Sequence, residues 1–169
     1  RLVQLRVGTP IAFDVLIVAP GSRHSYFGHD AWEQSAPGLK TLADAVHLRE
    51  KMLLAFEEAE RRRIATGTRE RLTFVIVGGG PTGVELAGAL AEIGRKAMGP
   101  DFPNLGLDDL AILLVEGGSR ILPGFSPDLS AKAVTALERM GVTIKLNSPV
   151  SEIRADGLVI GSEFVRSTN

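Results

Sequence analysis

Five glycines within eleven residues, Gly78 to Gly88, constrain the fold of this 169-residue chain more than any other feature. They follow a run that is almost entirely apolar, Leu72 to Val77, and lead into Thr82 to Ala97, where apolar residues recur with helical spacing. A strand of a parallel sheet is apolar along its whole length because both of its faces are buried. The cluster therefore predicts a tight turn from a buried strand into a helix.

Strand and helix patterns continue to alternate as far as residue 146. Leu110 to Val115 and Val142 to Leu146 are further runs typical of buried strands. Between them, Ser126 and Pro127 fit the N-cap and the first residue of another helix. Such alternation indicates a parallel sheet with right-handed crossovers. We therefore predict an α/β fold, with a Rossmann-like β-α-β-α-β parallel sheet over residues 72–146 and a short antiparallel β-meander at the C-terminal end.

Two of the predicted helices have recognisable ends. A long helix begins after Thr41, where Asp44 completes a capping box, and ends at Thr66-Gly67-Thr68. The helix that starts at Pro127 ends before Gly141. The side chains expected on the apolar face of that later helix are Leu129, Ala133, Leu137 and Met140.

The first forty residues and one internal segment depart from the alternation. Asp14 to Ala19 is an apolar run of strand length, which predicts another strand buried on both faces and ended by Pro20-Gly21. Residues 21–40 show no strong periodicity and are interpreted as a connecting loop. Residues 98–109 contain two glycines and two prolines, and we expect a loop or insertion there.

The composition excludes several classes of function. A net charge of −1 and a pI near 6.4 argue against a general electrostatic affinity for nucleic acid or anionic membranes. The apolar runs, such as Val15 to Ala19, are far below the roughly 18 residues of a membrane-spanning helix. The first residues lack the apolar stretch of a secretory signal. With no cysteine, this chain has no disulfide, thiolate metal site or dithiol centre of its own.

The glycine cluster matches the pattern G-x-G-x-x-G in the context that gives it a mechanism. Gly78 would form the tight turn, Gly80 would let the backbone approach a pyrophosphate, and Gly83 would let helix and strand pack closely. Amides at the helix start then bind phosphate without a lysine. No Gly-Lys-Ser/Thr follows, so phosphoryl transfer is disfavoured. The alternative is a tight turn without a ligand. The candidate cofactor-binding residues of the turn are Gly78, Gly79, Gly80, Pro81, Thr82 and Gly83.

A dinucleotide site also needs an acid at the end of the next strand, usually about 20 residues on. Glu116 stands there, 33 residues after Gly83, and the 98–109 insertion accounts for the excess. Its carboxylate could bind the adenosine ribose hydroxyls and repel a 2′-phosphate, which favours NAD(H) over NADP(H). We include Gly117 and Arg120 as further cofactor candidates. Arg120 could pair with a 2′-phosphate, but a solvated or ion-paired loop residue is the favoured interpretation. Glu116 could alternatively be a surface acid.

Glu85 has two interpretations. In the first turn of the phosphate-binding helix, a carboxylate gains about 0.3–1 kcal/mol from the helix dipole. Alternatively, it lies over the nicotinamide end of the cofactor as a catalytic group. The three histidines, His24, His29 and His47, have no metal-ligand spacing, and no G-x-S-x-G motif supports nucleophilic hydrolysis.

Two segments, 75–87 (VIVGGGPTGVELA) and 114–123 (LVEGGSRILP), resemble the NADH-binding motifs of type II NADH dehydrogenases, the single-subunit flavin NADH:quinone oxidoreductases. Residues 22–28 and 36–40 resemble the segment between that family's flavin and NADH regions. The resemblance covers essentially the whole chain but only the middle part of the family's length. At 19–21 the chain reads Ala-Pro-Gly, where the family has an Ala-Thr-Gly-like turn near FAD.

The resemblance implies an NAD domain inserted into an FAD domain, with hydride passing from NADH to FAD and then to quinone. Residues 1–40 would be a remnant of the flanking FAD-domain region and linker, and residues 41–169 the NAD(H)-binding domain with a long leading helix. Glu85 would lie near the nicotinamide and flavin. The family's first glycine motif for FAD is absent from this chain, so we expect the chain alone to be inactive.

The resemblance also implies the partners of the complete protein. These are NADH and a quinone bound by parts outside this chain, and the resemblance also allows a homodimer with a second copy. No nucleic acid is expected. Membrane association would come from a C-terminal region, on the cytoplasmic side of the bacterial inner membrane. Two alternatives stay open: a related flavoprotein reductase with another acceptor, and a non-catalytic nucleotide-binding module.

Overall fold

The computed structural model describes residues 1–21 and 24–168. Ser22 and Arg23, in the segment that resembles the family's linker, and Asn169 lie outside the described residues. The helices are α1 (Leu42–Thr66), α2 (Pro81–Ala97) and α3 (Pro127–Arg139). The strands are β1 (Leu2–Val3), β2 (Ile11–Ala12), β3 (Leu72–Val77), β4 (Leu110–Val115), β5 (Val142–Lys145), β6 (Val150–Arg154), β7 (Gly157–Ile160) and β8 (Glu163–Arg166).

A three-stranded parallel sheet in the order β3-β4-β5 forms the centre of the molecule. Its register pairs Leu72 with Leu110 and Ile112 with Val142, so the carboxyl ends of all three strands lie at one edge. Helices α2 and α3 connect the strands. The predicted β-α-β-α-β unit is confirmed, and β3 and β4 have the predicted bounds.

The two faces of this sheet are covered by different elements. On one face, Ile112 and Leu114 of β4 belong to a core shared with α1, α2 and α3, in which Phe56 is fully buried. On the other face, Leu113 and Val115 pack against β7. Strand β4 is therefore apolar at every position because alternate side chains enter two separate cores.

The antiparallel meander predicted for the C-terminal end is confirmed. Strands β6, β7 and β8 pair in chain order. Leu158 and Ile160 of β7 point into the smaller core beneath β4. Gly157 allows the close pairing, since a Cβ built there would lie 2.2 Å from the carbonyl oxygen of Val165.

The strand predicted over Asp14–Ala19 is wrong. No described residue pairs with this run, and the side chains of Val15 and Ile17 are 82% and 85% exposed. A strand of this composition needs neighbouring strands for its amides and carbonyls and cover on both faces. The described residues supply neither. The preceding residues form only the short antiparallel pair of β1 and β2.

The predicted ends of the helices are confirmed, including Ser126 as the N-cap and Pro127 as the first residue of α3. The capping box of Thr41 and Asp44 is present, and Gly67 ends α1 in the left-handed region. The Ser126 side chain nevertheless makes no capping hydrogen bond. The apolar face is wrong at Leu129, which is half exposed, because the first turn of α3 buries Ser130 against the Ile121 carbonyl.

The segment between α2 and β4 is anchored to α1 by a buried carboxylate. Asp109 is 2% exposed, forms an ion pair with Arg69, lies 3.8 Å from Arg63 Nη1, and accepts the Gly106 amide at 2.8 Å. Burial alone would raise the pKa of Asp109, but the Arg69 and Gly106 hydrogen bonds and the arginine charges lower it overall. The predicted loop at 98–109 is therefore an insertion with its own polar anchor.

Candidate dinucleotide-binding site

The turn after β3 depends on Gly78. Its φ of +108° lies where residues with a side chain are strained. Its amide donates to the Val115 carbonyl at 2.8 Å, so the turn is attached to the end of β4. Three residues, Gly78 to Gly80, therefore connect the end of β3 to the start of α2.

Gly83 sets how closely α2 approaches this turn. A Cβ built on Gly83 would lie 2.0 Å from the Gly78 carbonyl oxygen and 3.5 Å from Ile76. No L side chain fits without moving backbone. This is the close helix–strand packing that the third glycine of the pattern is expected to allow.

Gly80 occupies the N-cap of α2 with an extended backbone, φ −72° and ψ 179°. A Cβ built on it would meet nothing within 4 Å. Pro81 takes the first helical position, where no amide donor is needed. Gly80 is therefore not required by conformation or by packing within the chain. The open space beside it, at a helix start with unpaired amides, is a cradle that fits an anion.

Glu116 lies directly across from the glycine turn. Its Oε2 accepts the Gly79 amide at 2.6 Å, and its Oε1 accepts the Gly118 amide at 2.7 Å. The Glu116 backbone bridges to the end of β5, donating to the Lys145 carbonyl and accepting the Ser148 amide. The predicted acid and the glycine turn therefore meet at the carboxyl edge of the sheet.

Two participants in this geometry were not identified from the sequence, Ile121 and the amide of Gly118. Ile121 is fully buried, and a Cβ on Gly79 would lie 2.8 Å from its Cγ2. The next residue, Leu122, donates its amide to the Gly79 carbonyl at 2.7 Å. Only the apolar character of residues 121–122 could have signalled this packing, because no motif spacing marks it.

The remaining candidates are arranged less closely. Arg120 Nη2 donates to the Pro123 carbonyl at 2.7 Å, within its own loop. Gly117 is exposed, and Thr82 is exposed on α2. Glu85 is also exposed, and its assignment to the first turn of α2 is wrong. Since Pro81 is already helical, Glu85 is the fifth residue, where the dipole effect has declined.

Two other features bound the interpretation. Among residues 1–21 and 24–168, no group of three or more histidines and carboxylates could hold a metal ion. No helix within those same ranges is long and apolar enough to cross a membrane.

A cleft of about 320 Å³ lies at the opposite end of β3, where Leu72 and Thr73 meet α1 and residues 166–168, away from the glycine turn.

The parallel sheet, the glycine turn and the acid across from it define a dinucleotide-binding α/β domain. The chain belongs to the pyridine nucleotide-disulphide oxidoreductase family, whose model matches residues 2–167.

Individual relatives place the chain more narrowly. It is 39% identical over 160 residues to the type II NADH:quinone oxidoreductase NdhA of Mycobacterium tuberculosis, covering 95% of this chain and 34% of that protein. It is 36% identical over 148 residues to Ndh of the same organism, covering 88% and 32%. The resemblance to type II NADH dehydrogenases is thus confirmed, and the chain spans about a third of the length of these relatives.

A solved structure has the same fold. NDH2 from Plasmodium falciparum, in complex with NADH, superposes with a TM-score of 0.74 at 23% identity. The match covers 90% of this chain and 31% of that one. The predicted Rossmann-like α/β class is therefore confirmed by a known structure as well as by strand order.

Proposed function

We propose that this chain is the NADH-binding domain of a flavin-dependent NADH:quinone oxidoreductase. The observation that carries the proposal is the 2.6 Å hydrogen bond from the Gly79 amide to Glu116, which joins the glycine turn and the acid in one site. A surface acid unrelated to the turn would not make this contact. A glycine turn without a ligand would not need open space beside Gly80.

In this proposal the cofactor lies across the carboxyl edge of the sheet. The pyrophosphate binds the amides at the start of α2, with Gly78, Gly79, Gly80, Pro81, Thr82 and Gly83 forming its cradle. Glu116 accepts hydrogen bonds from the adenosine ribose hydroxyls, beside Gly117. Glu85, one turn into α2 and exposed, faces the nicotinamide end.

The same residues favour NADH over NADPH. The Glu116 carboxylate would repel a 2′-phosphate placed on the ribose. Arg120, the cation that could offset this repulsion, donates to Pro123 and is engaged within its own loop. In this arrangement Arg120 borders the ribose site without pairing with a phosphate.

The complete protein would use this domain to deliver hydride. FAD, bound by other parts of the protein, accepts hydride from NADH and passes electrons to quinone. This chain's contribution is to bind and orient the nicotinamide. Residues 41–169 form the NADH domain, and residues 1–40 belong to the flanking FAD region. The exposure of Val15 to Val18 supports that division, because these side chains lack cover among the described residues.

The location and the oligomeric state proposed for the complete protein follow from the family of its relatives. We propose that the complete protein is peripheral to the cytoplasmic side of a bacterial inner membrane, that it attaches through a C-terminal region, and that it forms a homodimer. Its substrates are NADH and a quinone, as the names of the mycobacterial relatives state for those proteins.

A titration of the chain with NADH, followed by nucleotide fluorescence, tests the proposal. We expect saturable binding of NADH and weaker binding of NADPH. Gly80→Val should abolish binding while the fold survives, since valine tolerates an extended backbone and a Cβ at this position would meet no protein atom within 4 Å. Gly124→Ala, which also points into open space, is the control that should bind normally. Unchanged NADH affinity in Gly80→Val would contradict the proposal.

A further inference from the structure

Gly79 and Gly118 lie on opposite sides of the Glu116 carboxylate, and each donates its amide to a different oxygen. The Gly79 bond to Oε2 measures 2.6 Å and the Gly118 bond to Oε1 measures 2.7 Å. Hydrogen bonds from amides to a carboxylate are short and are stronger than those between neutral groups. We refer to these three residues as the Glu116 clamp.

Neither glycine of the clamp is required by its backbone conformation, since neither has a positive φ. Limited space beside the carboxylate and, at Gly79, beside Ile121 is what disfavours a side chain. A Cβ on Gly79 would lie 3.0 Å from Oε2 and 2.8 Å from Ile121 Cγ2. A Cβ on Gly118 would lie 3.1 Å from Oε1. At Gly118 the carboxylate oxygen is the nearest atom, whereas a side chain at Gly79 would meet Ile121 first and the carboxylate next.

The clamp is anchored on the ends of two strands. The Glu116 amide donates to Lys145 at the end of β5, and the Gly118 carbonyl accepts the Asn147 amide at 2.8 Å. On the other side, the Gly79 carbonyl accepts the Leu122 amide. Displacing the carboxylate would thus require movement of the backbone or loss of two hydrogen bonds.

We propose that Gly79 and Gly118 are positioning residues that hold the Glu116 carboxylate toward the adenosine ribose and thereby set the preference for NADH over NADPH. This inference rests on the proposed function. Each carboxylate oxygen keeps a further acceptor site for a ribose hydroxyl after accepting one amide. Because the carboxylate is held in place, it cannot turn away from a 2′-phosphate, and the rejection of NADPH is strengthened.

The first test measures dissociation constants of NADH and NADPH for the chain and two variants, Gly118→Ala and Gly79→Ala. The methyl group at position 118 would press on Oε1, and the one at position 79 would press on Oε2 and on Ile121. Each should displace the carboxylate, so NADH affinity should fall about tenfold, the effect of one charge-assisted hydrogen bond. NADPH affinity should change less, so the ratio of the NADPH to the NADH dissociation constant should fall toward one. Gly124→Ala, in the same segment but facing open space, should keep the wild-type ratio.

A purely structural role would give a different result. The affinities for both nucleotides would then fall in parallel with a lowered melting temperature, and their ratio would not change. That outcome, or an unchanged ratio with normal stability in both variants, would overturn the positioning role.

The second test needs no nucleotide. In the isotope-labelled chain, scalar couplings across the hydrogen bonds should connect the Gly79 and Gly118 amide nitrogens to the side-chain carboxylate carbon of Glu116. Their absence, while couplings between β3 and β4 are observed, would overturn the clamp. Failure of the wild-type chain to bind NADH would instead overturn the proposed function, so the two failures are distinguishable.

Discussion

Two apolar runs of similar length and composition have different structures in this chain. Leu72–Val77 is the strand β3, and its Leu72 and Ile76 side chains are 4% and 7% exposed. Asp14–Ala19 forms no strand, and Ile17 is 85% exposed. Both runs precede a turn that contains glycine. The first has β4 beside it and helices against one face, whereas no described residue pairs with the second.

The difference shows what an apolar run does and does not determine. Such a run predicts which residues can form a buried strand, but burial depends on neighbouring strands that can lie far away in the sequence. For β3 that neighbour is in the chain, at Leu110–Val115. For residues 14–19, the proposed division of the chain assigns the neighbours to the flanking FAD region.

Leu114→Ala should have the largest effect in the region around β3. Leu114 is fully buried in the main core, and leucine-to-alanine changes at such sites cost about 2–5 kcal/mol. Urea denaturation should show a loss of about 4 kcal/mol in the free energy of unfolding. Leu42→Ala, at a side chain 81% exposed, should change that free energy by less than about 0.5 kcal/mol. Equal losses in the two variants would break the distinction.

Gly83→Ala tests the close packing at the glycine turn. Its Cβ would enter the space of the Gly78 carbonyl oxygen, so the unfolding free energy should fall by about 3 kcal/mol. Gly88→Ala, in the same helix, makes only ordinary contacts at 3.9 and 4.0 Å. There alanine should leave stability unchanged or raise it by up to about 1 kcal/mol. A tolerated alanine at position 83 would show that α2 does not approach the turn this closely.

The sequence predicts most of the β3–β5 region because each element carries its own local signal. Leu110–Val115 is apolar throughout because its alternate side chains enter two cores. Gly67 lies at a helix end that needs a left-handed residue. The exposure of Leu129 and the absence of a capping hydrogen bond from the Ser126 side chain could not be predicted. The exposure of Leu129 accompanies the packing of Ser130 against Ile121, which is a tertiary contact.

The candidate site likewise contains residues that the sequence predicts and one contribution that it does not. Motif spacing places Gly78, Gly83 and Glu116 together, and the geometry agrees at each. The contribution of Gly118 has no signature in spacing, because it arises where β4 and β5 end side by side. The binding roles themselves stay predictions until a nucleotide is titrated.

Asp109→Asn should have an intermediate effect. At neutral pH the unfolding free energy should fall by about 2 kcal/mol, because a buried carboxylate loses charge-assisted bonds. The pKa of folded Asp109 lies below its ordinary 3.8, so its contribution is present above that value and disappears as the pH falls through the lower folded pKa. Denaturation at several pH values should show the two proteins converging in acid. A constant difference would contradict the ion pairs, and exposed Asp101→Asn is the control.

Ile17→Ser, in the exposed run of residues 14–19, should have the smallest effect. Its side chain is almost fully exposed, so the free energy of unfolding, measured by thermal denaturation, should change by less than about 0.5 kcal/mol. A loss above about 1 kcal/mol would mean that residues 14–19 are buried, and the comparison between the two runs would no longer hold.

The central claim is that the glycine turn and Glu116 bind one NADH molecule at the carboxyl edge of the sheet. Amide chemical-shift mapping of the labelled chain during an NADH titration tests it most directly. We predict the largest shifts at Gly79, Gly80, Gly83 and Gly118, with little change at Leu54 and Thr73 beside the cleft between α1 and β3. Largest shifts at that cleft or along β6–β8, or no shifts at the glycine turn, would contradict the claim.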